Sequence, residues 1–575
     1  MIDLRAKPFY LTDEDIAWVE NTLAGLTTEE KFGQLFVDML WQDEDAEIER
    51  RNKVYGTGGY RYGNMGPAAL HHQNAVIQNS SKIPALIAAN IEGGGNGAVG
   101  GGVHVGDHVS IGATGNKENA YDMAYIGGKE AAAIGCNWTF APIVDINYNW
   151  RNCVVSNRCF GSDPDMVLEY SLEYLRGAKD AGIASCMKHF PGDGCDERDQ
   201  HIVTTICDKS YDEWMASYGK VYKGMIDAGV ESVMVGHIQV PEVSRKLRPG
   251  ISDRDIMPGT MAPELLQDML RDTLGFNGLI ITDATHMVGL TGKVRRCDFI
   301  PGVIMAGCDM ILYYRDKDED FRFLTEALEN GKLTMERLDE AVTRILGFKA
   351  MLKLHKKQAE GTLIPDPEGL SVIGCEEHMA AARKVADEGI TLVKNTKPKD
   401  LPLDPQKHKR IMLYSVDSNS SIAARSGGAG KSLTDKVKEE LEAQGFVVTT
   451  PSYAAGFNGK QLLASSPVTE FANSYDAVML IVNVAGFSQS NERRIHWSMS
   501  MGPDIPWYVT ELPTYCISFN NPFHLIDVPM VPIYVNAYSP ENWIIKQTIE
   551  KLMGKSEFKG VSTVDAFCGA WDTRL

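Results

Sequence analysis

Long apolar runs and clustered cysteines are both missing from this chain. No apolar stretch reaches the ~18 residues that a helix needs to cross a bilayer. The opening residues Met1–Arg5 carry no basic segment followed by an apolar one, so we expect no secretory signal peptide. The 11 cysteines are scattered without a Cys-x-x-Cys pair, which argues against a disulfide framework or a structural zinc site. These absences predict a cytoplasmic protein.

Positive charge is also scarce. Lys and Arg number 57 against 76 Asp and Glu, which gives a formal net charge of −19. A chain this acidic repels nucleic-acid phosphates and anionic lipid, so we expect neither a nucleic acid nor a membrane as its partner. Its 44% hydrophobic and 23% charged residues are ordinary for a globular protein and exclude disorder, collagen and coiled coil. A length of 575 residues leaves room for two large domains or several small ones.

Short apolar runs alternate with helical patterns over residues 1–355. Proline at position 164 and glycine at position 182 bound one predicted helix, and residues 263–274 form another. Repeated strand–helix units of this length predict an α/β fold with an N-terminal TIM-type (β/α) barrel rather than an open sheet. The candidate strands are residues 84–90, 138–145, 184–189, 232–237, 279–283 and 310–313.

A second domain is predicted after residue 385. Residues 356–385 begin with a basic cluster that is followed by Gly361, Pro365 and Pro367, which indicate a linker. Apolar runs then resume, with a helical stretch at 432–441, and predict a smaller α/β sandwich over 386–575. Its candidate strands are residues 390–394, 410–415, 446–450, 477–484, 514–519 and 533–536.

Nearly every candidate strand of the barrel ends in a polar or titratable residue. Catalytic groups of (β/α) barrels lie at the C-terminal ends of the strands, so these residues are candidates for the active site. The alternative is that strands end where polar loops begin. The residues are Asn90, Asp145, Lys188, His189, His237 and Asp283.

The segment 188–201 carries the strongest local signal. A strand delivers Lys188 and His189 to its end, and a loop rich in glycine then carries Asp199 and His201. A carboxylate two residues from a histidine can accept the imidazole N–H, fix its tautomer and raise its basicity. This pair is suited to general acid/base catalysis at neutral pH, although a solvated loop with incidental charges is the alternative.

Asp283 directly follows the apolar run 278–282. At the mouth of a barrel its carboxylate could act as a nucleophile. The alternative is that Asp283 caps the N-terminus of the next helix.

Longer motifs connect these residues to a known family. The chain resembles glycoside hydrolase family 3, and within it the β-N-acetylglucosaminidases. The most specific motif is K-H-F-P-G-x-G-x4-D-x-H at 188–201, and a sandwich-domain motif lies at 389–395. Further matching segments are residues 26–36, 140–147, 158–164, 233–238, 274–284 and 306–309.

The resemblance assigns roles to individual residues. It implies that Asp283 is the nucleophile that forms a covalent glycosyl-aspartate, and that His201 is the general acid/base with Asp199 as its partner. Most retaining glycosidases use a carboxylic acid in place of that histidine. The same resemblance implies that Arg158, Lys188 and His189 hold hydroxyls of the sugar, and we expect Asn90, Glu92 and His237 to bind the substrate as well.

Two positions depart from the family pattern. The family usually has Asp-x-Glu-Gly-Gly after the candidate strand 84–90, whereas this chain has Asn90 at the first position. Asn can donate as well as accept a hydrogen bond but has no charge, which leaves the sugar, including its C4 epimer, open. The usual histidine of P-G-H-G is Asp193 here.

Three functions remain open from the sequence. The first is a retaining exo-β-N-acetylglucosaminidase acting on small glycans, and the second is a phosphorylase that passes the same glycosyl group to phosphate. The third is a non-catalytic sugar-binding barrel, which the intact Asp283 and Asp199–His201 positions disfavour. We expect a small carbohydrate as substrate, no metal and no organic cofactor. The resemblance also suggests a homodimer.

Overall fold

A computed structural model of the protein describes residues 2–41, 43–417, 431–452, 467–484, 493–497 and 502–575. They divide into two compact units. The barrel unit comprises Met1–Val105, Glu118–Asn149 and Asp163–Met379. The sheet unit comprises Gly106–Lys117, Trp150–Ser162 and Ala380–Leu575.

The barrel unit contains a closed barrel of eight parallel strands, which confirms the predicted TIM-type fold. Going around the barrel, the order is β1, β2, β3, β4, β5, β7, β9, β10 and back to β1. Strands β6 and β8 form a separate parallel pair. The strands are β1 Phe36–Leu40, β2 Gly59–Tyr62, β3 Leu86–Ala89, β4 Trp138–Thr139, β5 Ala184–Phe190, β6 Thr205–Ile206, β7 Ser232–Val235, β8 Ile238–Gln239, β9 Leu279–Ala284 and β10 Met310–Leu312.

Helices connect the strands of the barrel. The helix Pro164–Ala181 begins and ends as its sequence predicts: Asp163 accepts the Asp165 N–H at 3.0 Å, and Gly182 follows with φ of +84°. Its buried face packs on the neighbouring helices and on β5. The other helices of this unit that span more than seven residues are Asp13–Ala24, Asp45–Tyr55, Pro67–Ser80, Glu118–Ala133, Lys220–Ala228, Glu264–Thr273, Arg296–Ala306, Lys317–Glu329 and Met335–Met351.

Shorter helices complete the unit, and two of them overlap the span that we predicted as linker: Leu354–Glu360 and the 3₁₀ turn Pro367–Val372. A longer helix, Glu376–Gly389, contains the boundary between the two units. The remaining short helices are Thr28–Gln34, Tyr211–Trp214, Pro241–Leu247 and Val288–Thr291, with helical turns at Gly95–Gly97, Met215–Gly219 and Gly259–Met261.

The sheet unit contains one six-stranded sheet, which confirms the predicted α/β sandwich. The strand order is β11, β16, β15, β14, β12, β13, and every pair is parallel except β11 with β16. Its strands are β11 Thr391–Asn395, β12 Arg410–Asp417, β13 Val447–Thr449, β14 Ala477–Asn483, β15 Thr514–Ser518 and β16 Ile533–Asn536. Its described helices are His108–Ala113, Leu433–Ala443, Val468–Ser474 and Asn542–Leu552, with 3₁₀ turns at Pro398–Asp400, Trp507–Thr510, His524–Ile526 and Asp572–Arg574.

Two segments from the first third of the chain pack with C-terminal residues in the sheet unit. The Val561 N–H donates to the Ala113 carbonyl at 2.9 Å, and the Ser162 N–H donates to the Thr563 carbonyl at 3.1 Å. The Ser156 hydroxyl donates to Asn521 Oδ1 at 3.2 Å. Segments 106–117 and 150–162 therefore belong to the sheet unit, although their sequence neighbours belong to the barrel.

Membrane-spanning candidates were sought among the helices of the described part of the chain. None of these helices combines the length and the apolar character that a bilayer crossing requires.

Candidate active site

Asp283 lies inside β9, near the end that faces the mouth of the barrel, and its side chain is buried. Its Oδ1 accepts the Ala284 N–H at 2.7 Å, whereas its buried Oδ2 has no hydrogen-bond partner. Burial acts to raise the pKa of this carboxyl, but the nearby imidazoles, first His189 and then His201, outweigh it and hold the pKa below its usual value. The aspartate is therefore ionised at neutral pH, with one oxygen available to react.

The N-cap alternative for Asp283 does not hold. The next helix is Val288–Thr291, and its N-cap position is Met287. Asp283 is four residues before that position, within a strand.

His189 lies on β5 between two carboxylates. Its Nδ1 is 2.7 Å from Asp145 Oδ2, and its Nε2 is 4.0 Å from Asp283 Oδ2. Burial acts to raise the pKa of Asp145, but His189 and the backbone N–H groups of Asp193 and His189 lower it. The ionised Asp145 therefore accepts the His189 Nδ1–H, which directs Nε2 towards Asp283. The sequence indicates that Asp145 ends a candidate strand, but no motif assigns it a specific role.

Lys188 points into the barrel beside an acidic residue of the neighbouring loop. Its Nζ donates to Glu92 Oε1 at 2.6 Å, and Lys188 is only 3% exposed. Asn90 directly follows β3 and is half-buried. These residues lie at the same end of the barrel as Asp283, because all eight strands are parallel.

Asp199 and His201 form the pair that their spacing predicts. His201 Nδ1 lies 2.6 Å from Asp199 Oδ1, and the His201 N–H donates to the same oxygen at 2.8 Å. Asp199 is fully buried, whereas the His201 side chain is 20% exposed. The charge of His201 is close enough to Asp283 to lower its pKa. With Nδ1 bound to Asp199, the His201 Nε2 is the nitrogen that can exchange a proton with a bound molecule.

The loop that carries this pair is fixed to the barrel by its backbone and by Gln200. The Val288 and Gly289 N–H groups donate to the carbonyls of His201 and Gln200, at 3.0 and 3.2 Å. Gln200 Oε1 accepts the His237 N–H at 2.7 Å. Gly194 has φ of +110°, and a Cβ there would lie 2.0 Å from the Ile146 carbonyl oxygen, so only glycine fits this turn.

Asp193, the second departure from the family pattern, now has a structural role. Its backbone N–H donates to Asp145 Oδ1 at 2.8 Å. Its carboxylate accepts the Gly194 N–H at 2.6 Å and the Gln200 Nε2–H at 3.3 Å. Asp193 is 2% exposed and therefore links the Asp145–His189 pair to the loop that carries His201.

His237 is completely buried at the end of β7. Its Nδ1 is 3.1 Å from the Thr260 hydroxyl, and its Nε2 is 3.1 Å from the Ala284 carbonyl. Burial lowers the pKa of His237, so the ring is neutral at neutral pH, donates from Nε2 and accepts at Nδ1. Both ring nitrogens are thus engaged next to Asp283, and neither is open to a sugar hydroxyl in this arrangement.

Arg158 belongs to the sheet unit, unlike the other predicted site residues. Its N–H donates to the Val155 carbonyl at 2.6 Å and its Nη1 to the Val154 carbonyl at 3.3 Å. Its sugar-binding role stays a prediction. Across the described residues, no group of three or more His, Cys, Asp and Glu side chains is arranged to hold a metal ion.

A parallel barrel with an ionised aspartate and a carboxylate–histidine pair at its C-terminal end has the groups that cleavage of a glycosidic bond requires. The family model for the "Glycosyl hydrolase family 3 N terminal domain" matches residues 27–348. The chain belongs to glycosyl hydrolase family 3, and it is a glycoside hydrolase.

Relatives of known name extend over the whole chain. A "Beta-N-acetylglucosaminidase/beta-glucosidase" of Cellulomonas fimi is 41% identical over 575 residues, which cover 100% of both chains. The solved structure of a "Beta-glucoside phosphorylase BglX" is 38% identical, has a TM-score of 0.92 and overlaps 99% of each chain. A family 3 β-N-acetylglucosaminidase from Paenibacillus sp. str. FPU-7 shares the fold, with a TM-score of 0.77 at 22% identity, and the match covers 94% of this chain and 99% of that one.

Proposed function

We propose that the protein is a retaining exo-β-N-acetylglucosaminidase that releases terminal N-acetylhexosamine from small glycans. The observation that carries this proposal is the buried, ionised Asp283 with its unpartnered Oδ2, next to the Asp199–His201 pair. A nucleophile and an acid/base on opposite sides of a glycosidic bond are what a retaining mechanism needs. The name of the Cellulomonas fimi relative supports N-acetylglucosaminides or glucosides as the substrate class.

In the first step Asp283 Oδ2 attacks the anomeric carbon. The bond between that carbon and the leaving oxygen breaks, and the oxygen keeps the electron pair of that bond. The same oxygen receives a proton from His201 Nε2. The glycosyl group is then an ester of Asp283, and His201 is a neutral imidazole whose Nδ1–H is still bound by Asp199.

In the second step water attacks the anomeric carbon and gives a proton to His201 Nε2. The bond to Asp283 breaks, and its carboxylate is restored. Asp199 stabilises His201 whenever its imidazole is protonated, because the buried Asp199 carboxylate lies 2.6 Å from His201 Nδ1.

The remaining predicted site residues hold the sugar. Lys188 keeps donors free beyond its bond to Glu92, and His189 directs Nε2 into the site. Asn90, Glu92 and Arg158 are proposed contacts for the outer hydroxyls. We assign His237 to positioning the end of β9, because its two ring nitrogens bind Thr260 and Ala284.

A second candidate function is transfer of the glycosyl group to phosphate. It is favoured by the 38% identity to a protein named beta-glucoside phosphorylase over 99% of both chains. The chemistry also permits it, since a neutral His201 does not repel phosphate as a glutamate at that position would.

The test compares turnover of a nitrophenyl β-N-acetylglucosaminide with and without inorganic phosphate, and identifies the sugar product. Free sugar at an unchanged rate supports the hydrolase, whereas sugar 1-phosphate supports the phosphorylase. Turnover of a nitrophenyl β-glucoside, compared with that of the N-acetylglucosaminide, shows which of the two sugars the enzyme prefers. Absence of turnover on both substrates contradicts both functions. The cytoplasmic location and the homodimer stay predictions.

A further inference from the structure

Arg61 is an arginine of the barrel wall that no sequence motif singled out. It lies on β2, whose flanking residues Tyr60 and Tyr62 pack outward in the apolar layer beneath the helices. Alternate residues of a strand point to opposite faces, so Arg61 points into the barrel. Its register partner on β1 is Met39, and Arg61 Nη1 lies 3.6 Å from the Met39 sulfur.

The guanidinium of Arg61 has no acidic partner. No carboxylate of the described chain lies within ion-pair distance of it, and the side chain is half-buried. Other cations near this end of the barrel are neutralised: Lys188 is 2.6 Å from Glu92, and Arg296 is 2.6 Å from Asp320. An unpaired, partly desolvated cation in an enzyme cleft is unfavourable until an anion binds to it.

Arg61 and Asp283 both influence the pKa of Tyr313. This residue directly follows β10, the neighbour of both β1 and β9. Burial raises the pKa of the Tyr313 hydroxyl; Arg61 opposes the rise and Asp283 adds to it. Arg61 is the last residue but one of β2 and pairs in register with Ala88 of β3, so it lies towards the same end of the parallel barrel as Asp283.

We propose that Arg61 forms an oxyanion-binding site in the barrel mouth that also holds Asp283. This inference rests on the proposed glycosyl-aspartate mechanism. Two sources share the required chemistry: inorganic phosphate as the acceptor, or a carboxylate carried by the leaving group. A guanidinium binds either in a forked geometry with two N–H donors.

Phosphate bound there completes a balanced transfer. An oxygen of HPO₄²⁻ attacks the anomeric carbon, the bond from that carbon to Asp283 breaks, and the electron pair returns to the aspartate. The products are the Asp283 carboxylate and a glycosyl phosphate that keeps the proton of HPO₄²⁻, so the total charge is unchanged. The dianion needs no general base, and Arg61 offsets its charge next to Asp283.

The experiment compares the wild type with Arg61→Gln and Arg61→Lys. Arg315→Gln is the matched control, because Arg315 is an exposed arginine just beyond β10 that also forms no ion pair within the described chain. One arm measures by ³¹P NMR the partition of a nitrophenyl β-N-acetylglucosaminide between free sugar and sugar 1-phosphate as phosphate is raised. The other arm compares kcat/KM for a carboxynitrophenyl and an uncharged nitrophenyl glycoside.

If phosphate is the ligand, we expect Arg61→Gln to raise the phosphate concentration for half-maximal transfer by about tenfold or more. If a carboxylate of the leaving group is the ligand, we expect the ratio of kcat/KM for the charged over the uncharged substrate to fall by about the same factor. Arg61→Lys should have an effect between those of the wild type and Arg61→Gln, since an ammonium keeps the charge but lacks the two parallel N–H donors of a guanidinium. Water-dependent turnover of the uncharged substrate should change much less. The inference is overturned if neither arm responds to Arg61, or if Arg315→Gln has the same effect.

A binding measurement separates this inference from the proposed function. Inorganic phosphate should raise the Tm of the wild type and of Arg315→Gln more than that of Arg61→Gln. If that pattern appears without any turnover, the anion site stands and the proposed function fails. If turnover is normal but substitution of Arg61 changes neither the response to phosphate nor the kcat/KM of the carboxynitrophenyl substrate, the function stands and the anion site is excluded.

Discussion

The Nε2 atom of His189 lies 4.0 Å from Oδ2 of Asp283, the one carboxylate oxygen of that aspartate that is buried without a hydrogen-bond partner. His189 cannot turn away, because its Nδ1 is bound to Asp145 at 2.7 Å. The charge of Asp145 therefore fixes which nitrogen of His189 faces the nucleophile. Asp145 therefore influences the ionisation of Asp283 through His189, although Asp145 forms no hydrogen bond with Asp283.

Asp145→Asn should weaken catalysis without abolishing it. The variant keeps the shape of the side chain but loses the charge that holds the His189 tautomer, so we expect about a 10- to 100-fold lower kcat/KM. The loss should be equal on substrates with good and poor leaving groups, because His189 does not protonate the leaving oxygen. Asp199→Asn is the matched control, since its effect should depend on the leaving group. A leaving-group-dependent loss in Asp145→Asn would contradict this assignment.

Asp283→Ala should lower kcat by roughly 10⁴-fold or more, because it removes the proposed nucleophile. The fold should persist, since the Asp283 carboxylate bonds only to the neighbouring backbone N–H of Ala284. Circular dichroism and Tm check the fold, and steady-state kinetics check the rate. A mechanism-based glycosyl fluoride should label Asp283 in the wild type, and a label on another residue would exclude the assignment.

Glu231→Gln should make stability less dependent on pH. Glu231 directly precedes β7, and burial raises its pKa from 4.5 to about 7. Its carboxylate accepts the Ser185 N–H at 3.0 Å, a bond that the amide oxygen of Gln can keep. Because the folded state holds the proton more tightly than the unfolded state, this stabilisation is complete below pH 4.5 and is lost as pH rises through about 7.

The wild type should therefore lose up to roughly 3 kcal/mol of unfolding free energy over that interval through this group, and Glu231→Gln should not. Denaturant unfolding of both proteins at pH 4.5 and pH 8 measures the difference. The two proteins should differ more at pH 8, where the variant is the more stable. Parallel pH profiles would show that the Glu231 carboxyl is solvated.

Much of the barrel could be predicted because six of its strands, β3, β4, β5, β7, β9 and β10, begin as short apolar runs with polar residues after them. Strands β1 and β2 were missed for a physical reason. Asp38 interrupts the first run, and it is buried only because it pairs with Arg51 and Lys317. Gly59 and Arg61 interrupt the second, since a glycine and a charged side chain are rare in a buried strand.

The site was predictable where its residues are neighbours in sequence, and less so where they are not. Asp199 and His201 are two residues apart, and their spacing indicates the contact. Asp145 and His189 are 44 residues apart, so only the closed barrel brings them together. Segment 150–162 is a second case: its partners lie 365 and 401 residues further along the chain, and the sheet unit brings them together.

The role of His201 can be tested through the leaving group. If His201 protonates the leaving oxygen, His201→Ala should reduce the glycosylation rate far more on a disaccharide than on a nitrophenyl glycoside, because nitrophenolate departs with little help. Asp199→Asn should act in the same direction but more weakly, since the imidazole is still present. Rapid-quench measurement before the steady state isolates this step.

Azide offers the complementary test of the second step. It needs no general base to attack the glycosyl-aspartate, so it should restore part of the turnover of His201→Ala on the nitrophenyl substrate. It should restore nothing on the disaccharide, where formation of the intermediate is blocked. Equal losses on both substrates in glycosylation, with no azide rescue, would mean that the His201 ring only holds the loop in place through its bond to Asp199.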